Sequence, residues 1–354
     1  MMQGAQFIAV STLRGSRTIL RGPGGPRLNR ERLAVLLVAL GAATGTACRE
    51  NSPAQTTTRT YPYKTTCTVG MISDVVRQVA ADKSSVRGII GEGVDPHLYQ
   101  ATRSDILALT DADIIFYGGL LLEGRMSDSF VKVAQKRPVH AVTELLDESL
   151  LLTPPEFAGH HDPHVWMDPT LWRKCAELIA KTLGEFDPPN KDFYQKNYAN
   201  LARRIDDLHA YARASIATIP KETRVLVTAH DAFNYFARAY DLEVHGIQGI
   251  STESEAGIAD INRLVDLLVS RKVKAVFVES SVSDKNVKAL IEGAASKGHE
   301  VKIGGTLFSD AMGKPDTYEG TYIGMIDHNV TTIVRALGGS VPLRGMQGKL
   351  TQAD

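Results

Sequence analysis

The segment from Asn190 to Ile219 contains neither glycine nor internal proline, and it constrains the fold more than any other stretch of the chain. Its apolar residues Phe193, Tyr194, Tyr198, Leu201, Ile205, Leu208, Tyr211 and Ile216 recur mostly at three- to four-residue intervals, the period of a helix. About 30 residues at about 1.5 Å each make a rod of roughly 45 Å. Such a rod is long enough to run past one domain into the next, and Pro220 stops it. With 354 residues, the chain has room for a domain on either side.

Both flanks alternate strand and helix. Before the rod, strands are expected at Thr65–Gly70, Val86–Gly91, Ile114–Gly118 and Val139–Val142, with helices at Ser73–Ala81 and Thr102–Leu109. A further helix is expected at about Thr170–Leu183, closed by Gly184 and then Pro188-Pro189. After the rod, Arg224–Thr228, Glu243–Gln248, Ala275–Glu279 and Lys302–Thr306 read as strands, and Asp260–Ser270, Asp284–Ser296 and Thr321–Leu337 as helices. This rhythm implies α/β architecture, each half a mostly parallel sheet flanked by helices. The expected division is 64–187, a linking helix at 188–220, a second half at 221–342, and a tail at 343–354. No residue-level repeat relates the halves.

The N-terminus carries a different signal. Basic residues crowd Arg14 to Arg32, the apolar run Leu33–Ala43 follows, and the small residues Thr44-Gly-Thr-Ala47 lead into Cys48. That order defines a secretory signal over 1–47, and the run is too short for a membrane span of about 20 residues. Cys48 after small residues resembles a lipobox, although Gly45 stands where a larger aliphatic residue is usual. Lipidation at Cys48 and simple cleavage after Ala47 are both open, and the stretch before Arg27 leaves room for a start downstream of Met1. Residues 48–63, rich in Asn, Ser, Pro and Thr, read as a flexible tether. Lys+Arg and Asp+Glu both total 40, so no net field draws the chain to nucleic acid. Cys48, Cys67 and Cys175 are too scattered for a disulfide framework; buried apolar roles are expected for Cys67 and Cys175.

Candidate chemistry lies just beyond strands. His97 stands in Gly93-Val-Asp-Pro-His-Leu-Tyr99, and His164 in Asp162-Pro-His-Val-Trp-Met-Asp-Pro169. His230 follows a strand in Thr228-Ala-His-Asp-Ala-Phe233, and Asp310 stands in Ser309-Asp-Ala-Met312. Ligands in open α/β sheets bind beyond the carboxyl ends of strands, so two facing halves would bring these loops into one cleft. Imidazole and carboxylate suit first-row divalent metals. Asp95, Asp162 and Asp168 are placed to accept from a ligating imidazole. Asp231 could cap the next helix, and Glu279 could serve either a ligand or a sheet edge. Glu253 and Glu255 are expected to favour the dipole of the helix near Asp260. Trp166 and Trp172 are expected to pack near the cleft. His160 and His161 are loop histidines that are solvated or recruit metal. His140, His209, His245, His299 and His328 have no comparable context.

From about Lys64 to Leu337 the chain resembles the solute-binding lipoproteins of zinc and manganese ABC importers, the TroA-like or cluster A-I group. The motifs above carry the resemblance, together with Gly249-Ile-Ser-Thr-Glu-Ser-Glu-Ala256 and Val276-Phe-Val-Glu-Ser-Ser281. It implies two lobes bridged by a long rigid helix, with His97, His164, His230 and Asp310 in the four metal-ligand positions. Some members carry glutamate at the third position, where this chain has His230. Three nitrogens and one carboxylate favour Zn(II) slightly over Mn(II). The short Gly159-His-His-Asp162 stretch lacks the long His-rich loop of many zinc members. A membrane permease is the implied partner, and a monomer is expected. The alternative is a secreted zinc-dependent hydrolase, but a catalytic zinc usually keeps an open position. Neither a His-Glu-x-x-His helix nor a Gly-x-Ser-x-Gly elbow is present. An additional adhesin role has no specific feature for or against it.

Overall fold

The computed structural model describes residues 59–351 except residue 158. The expected signal segment 1–47, Cys48 and the tether up to residue 58 lie outside the described residues. In chain order the elements begin with β1 (Tyr63–Cys67), α1 (Gly70–Ala80), β2 (Ser84–Gly88) and α2 (Arg103–Asp111). Then come β3 (Ile114–Tyr117), α3 (Ser127–Ala134), β4 (Val139–Ala141), α4 (Pro169–Phe186) and α5 (Lys191–Ile216). The second series is β5 (Val225–His230), α6 (Asn234–Tyr240), β6 (Glu243–Gln248), α7 (Ile258–Arg271), β7 (Ala275–Glu279), α8 (Lys285–Ser296), β8 (Lys302–Leu307) and α9 (Tyr322–Ala336).

The first lobe holds one sheet in the order β2-β1-β3-β4, with every pairing parallel. The second lobe has two parallel pairs, β5-β6 and β7-β8. β5 and β7 lie side by side but do not form one ladder. At their cleft end the His230 backbone N–H donates to the Glu279 carboxylate at 2.9 Å. β5 also runs further than expected, so His230 is its last residue.

The rod is real: α5 has 26 residues, roughly 39 Å at about 1.5 Å each. It buries Tyr194, Leu201, Ile205 and Leu208 and leaves its polar face to solvent. Those side chains join a core shared by α1, α4, α9 and both lobes. A second core, around Leu264, Leu268, Val276 and Leu290, belongs to the second lobe alone. α4 has Pro169 at its first position, with Asp168 accepting from the Thr170 N–H at 2.9 Å, and it runs through Gly184, expected to close it, as far as Phe186.

The ends of the folded body differ from expectation. The tether was expected to reach residue 63, yet Tyr63 is buried in β1. Arg59 donates to the Phe186 carbonyl at 2.7 Å, and the Tyr61 hydroxyl to Asp187 at 2.7 Å. Aromatic and cationic side chains in this stretch give it surface to bury, which the threonine run before it lacks. The tail from 343 is likewise docked, with Leu350 buried. Among the described residues no helix is long and apolar enough to cross a membrane.

Candidate metal centre

Each candidate ligand sits at the cleft end of its lobe. His97 lies on the loop after β2 and His164 on the segment leading into α4. His230 ends β5, and Asp310 follows β8. Lobe assembly brings all four together, with one donor atom from each within 4.8 Å of every other. They are shut away from solvent: His164 and His230 are 0% exposed, Asp310 1% and His97 3%.

Three of the separations between these donors are close to those of a tetrahedral coordination shell and a fourth is wider. His97 Nε2 lies 3.3 Å from His164 Nε2, His164 Nε2 3.3 Å from Asp310 Oδ1, and His230 Nε2 3.2 Å from Asp310 Oδ2. The widest of these edges, His97 Nε2 to Asp310 Oδ2, is 4.0 Å. Donors about 2.0–2.1 Å from a tetrahedral ion stand about 3.3 Å apart. Among the described residues, His230 Nε2 and both Asp310 oxygens have no hydrogen-bond partner of acceptable geometry. A buried carboxylate with both oxygens unbonded is costly unless a cation is meant to sit between it and its neighbours.

Two rings are oriented by carboxylates. His164 Nδ1 lies 2.7 Å from Asp162 Oδ1, which also accepts the His164 backbone N–H at 2.9 Å. His230 Nδ1 lies 2.5 Å from Glu279 Oε2, while Glu279 Oε1 accepts the His230 backbone N–H. With Nδ1–H donating, Nε2 keeps its lone pair toward the cluster. Burial alone would lower the His164 pKa, but Asp162 and then Asp310 outweigh it and raise it to about 9. For His230 burial is again outweighed, here by Glu279 and Asp310, and the shift is strongly upward. Burial pushes His97 down to about 3. Burial also opposes the charged form of Asp310, yet His230 and His164 hold its carboxyl well below the usual range.

Other sequence candidates sort clearly. Asp95 accepts the His97 backbone N–H at 2.8 Å rather than its ring. Asp168 caps α4 and lies 3.8 Å from Arg238, so it orients no imidazole. Asp231 accepts from the Asn234 side chain at 3.0 Å, and α6 has no side-chain cap. Glu253 pairs with Arg125 across the lobes at 3.1 Å instead of serving the start of α7. Trp166 donates to the Ser309 carbonyl at 2.9 Å, bolting one lobe to the Asp310 loop, while Trp172 packs against Tyr322. His160 is exposed and His161 half-buried, its Nδ1 3.0 Å from the Thr153 hydroxyl, and both lie outside the cluster. His140 packs beside Phe116, and His299 and His328 face backbone carbonyls. His209 meets Tyr240, and His245 pairs with Glu243. Cys67 and Cys175 are buried free thiols, pushed up by burial, Cys67 to about 12. Sequence reasoning missed Arg125 and Thr252. Arg125 donates to the Leu98 carbonyl at 3.4 Å and pairs with Glu253, and Thr252 donates to Asp95 Oδ2 at 2.5 Å. The quoted motif at Gly249 contained Thr252, but nothing in its type marked it.

Four buried donors drawn from two lobes, on a body spanned by one long helix, fit a solute-binding protein better than a hydrolase, whose catalytic zinc usually keeps an open position. The family model for the zinc-uptake complex component A periplasmic proteins, ZnuA, matches residues 66–336, and the chain belongs to that family. It is 42% identical over 316 residues to the zinc-binding protein TroA of Treponema pallidum, covering 87% of this chain and 99% of that one. It is 41% identical over 305 residues to the manganese-binding lipoprotein MntA of Bacillus subtilis, covering 86% and 98%. The solved periplasmic zinc-binding protein TroA superposes with a TM-score of 0.76 at 45% identity, covering 78% of this chain and 99% of that one. The family consists of ABC-importer solute-binding proteins, not enzymes, so the hydrolase alternative falls and a membrane permease is the partner class.

Proposed function

We propose that this protein captures one Zn(II) or Mn(II) ion between its lobes, with His97, His164, His230 and Asp310 as ligands, and delivers it to the permease. The observation that supports this reading best is Asp310: buried, charged, and with both oxygens turned unbonded toward imidazole nitrogens. A lipid on Cys48 would keep the protein at the membrane, and a monomer suffices because one chain supplies the whole shell. The division we propose is 1–47 signal, a tether from Cys48 that ends before the docked Arg59, a first lobe to 187, a second lobe from 221 with the docked tail, and the linking helix between them.

Between the two metals, the reading favours zinc. Three imidazoles and one carboxylate at near-tetrahedral edges suit Zn(II), whereas Mn(II) prefers a larger, oxygen-richer shell. Relatives do not decide it, since one is named for zinc and another for manganese at nearly equal identity. Calorimetric titration of metal-stripped protein with Zn(II) and Mn(II) in competition tests the reading. One ion per chain is expected, with zinc displacing manganese. Failure to bind either ion sinks the capture reading, and displacement of zinc by manganese sinks the preference.

A further inference from the structure

Residues 339–351 follow α9, lie beyond the span matched by the family model, and return to the loop that carries Asp310. That loop leaves β8 through Asp310, and three residues later the Gly313 N–H donates to the Glu319 carbonyl at 2.9 Å, which closes it. The Glu319 side chain is buried and accepts the Thr351 N–H at 2.8 Å and the Thr351 hydroxyl at 2.6 Å. One residue earlier, Tyr318 donates its hydroxyl to Asp327 of α9 at 2.9 Å. The same carboxylate accepts the Met346 N–H at 2.9 and 3.0 Å. Asp327 is 0% exposed, so water does not readily replace those bonds.

The fit around Asp327 is specific. Gly345 has φ +72°, and a Cβ there would come within 2.5 Å of Asp327 Oδ1, so this approach needs glycine. Lys349 places its ammonium 5.8 Å from the Tyr318 ring centre. The segment therefore grips the return arm of the loop at two consecutive residues, Tyr318 and Glu319, through two buried carboxylates. The entry arm is held separately, by Trp166 on the Ser309 carbonyl and by Asn329 on the Phe308 backbone.

We infer that residues 342–351 brace the metal-binding loop, with Glu319 and Asp327 as positioning residues that hold Asp310 against the histidines through Thr351 and Met346. This rests on Asp310 being a ligand. The brace and the entry anchors act on opposite arms of one short loop. Loss of the brace frees the return arm while the lobes and their cores stay intact, so the ion should escape faster from a folded protein.

The test compares the full chain with variants ended after Val341, Glu319→Ala, Glu319→Gln and Asp310→Asn. Zinc release into excess chelator is followed by stopped flow, and metal-free melting temperature is measured alongside. Shortened protein and Glu319→Ala should release zinc about 10- to 100-fold faster, the range for lost outer-shell support. Glu319→Gln keeps an acceptor for Thr351 and should stay near wild type. A shortened protein that folds and releases zinc at the wild-type rate, or one that only melts earlier, overturns the brace. If the shortened protein does not fold, the Glu319 pair decides, and equal release from Ala and Gln variants overturns it. Unchanged zinc binding in Asp310→Asn removes the ligand assignment and the brace together. Lost binding there, with wild-type release from Glu319→Ala, removes the brace alone.

Discussion

His97 offers the cluster the same atom as His164 and His230, yet it is mounted differently. The other two rings each press Nδ1 against a buried carboxylate that also takes their own backbone N–H. Asp95 takes only the backbone N–H of His97, and among the described residues no group bonds its Nδ1. Titration follows the mounting. Burial drives His97 down to about 3, whereas carboxylates overcome burial and lift His164 to about 9 and His230 strongly upward. These two rings are thus fixed within their own surroundings, beside carboxylates that favour their protonated form in the metal-free protein. The third is neutral and held through its backbone, partly from the other lobe.

Removing a fixed ligand should give the largest effect. His230→Ala is expected to weaken zinc binding about 10²- to 10³-fold, a quarter of a four-ligand site's ~10–16 kcal/mol. Calorimetry on metal-stripped protein measures it, and an unchanged affinity would take His230 out of the site. The fold should survive, because the large core of α1, α4, α5 and α9 does not depend on this ring.

Next comes Glu279→Gln, which leaves one acceptor for the two His230 N–H groups that the carboxylate serves and removes its charge. In the wild type, a metal ion needs lone pairs on His164 and His230, whose carboxylates raise their pKa values, so binding should release protons and affinity should rise with pH, toward about 9 for His164. In the metal-free protein the sign is reversed. The stability from these raised pKa values is complete below about 6.5 and is lost as pH climbs toward about 9. His97, depressed, costs stability as pH falls from 6.5 toward about 3. Glu279→Gln should weaken binding about 10- to 100-fold and reduce the protons released per ion. Titration in buffers of different ionisation enthalpy reads that number, and unchanged release would show that Glu279 does not load His230.

Much of this was legible before any coordinates. The uninterrupted period of Asn190–Ile219 announced α5, because a long helix writes its burial pattern locally. The four residues of the cluster lay beyond strands, a weak signal one at a time, and the resemblance to the TroA-like group singled them out together. Of the three aspartates expected to orient an imidazole, Asp162 alone does so, while Asp95 takes a backbone N–H and Asp168 caps a helix. Glu279 stayed ambiguous, since its partner is 49 residues away and only packing of β7 beside β5 joins them. The short helices α3 and α6 were not expected, as eight and seven residues hold barely two turns of periodicity. Thr252 and Arg125 were invisible because their partners, Asp95 and Glu253, stand in the opposite lobe.

That interlobe dependence predicts the smallest effect and the sharpest test of the contrast. Asp95 Oδ1 holds the His97 N–H while Oδ2 accepts from Thr252, and the next residue, Glu253, pairs with Arg125, which also reaches the Leu98 carbonyl. Both neighbours of the His97–Pro96 turn are therefore tied to residues 252–253 of the second lobe. Thr252→Val removes one hydrogen bond, worth about 1 kcal/mol, and should weaken zinc binding only about fivefold. Arg125→Ala acts on a half-exposed pair and should cost less at that contact, since such pairs contribute about 0.2–1 kcal/mol. Zinc release into chelator resolves both changes. If Thr252→Val matched Glu279→Gln in size, His97 would be as firmly mounted as the other histidines, and the distinction between fixed and cross-braced ligands would fail. A small effect confined to faster release would identify His97 as the ligand whose seat depends on the two lobes staying together.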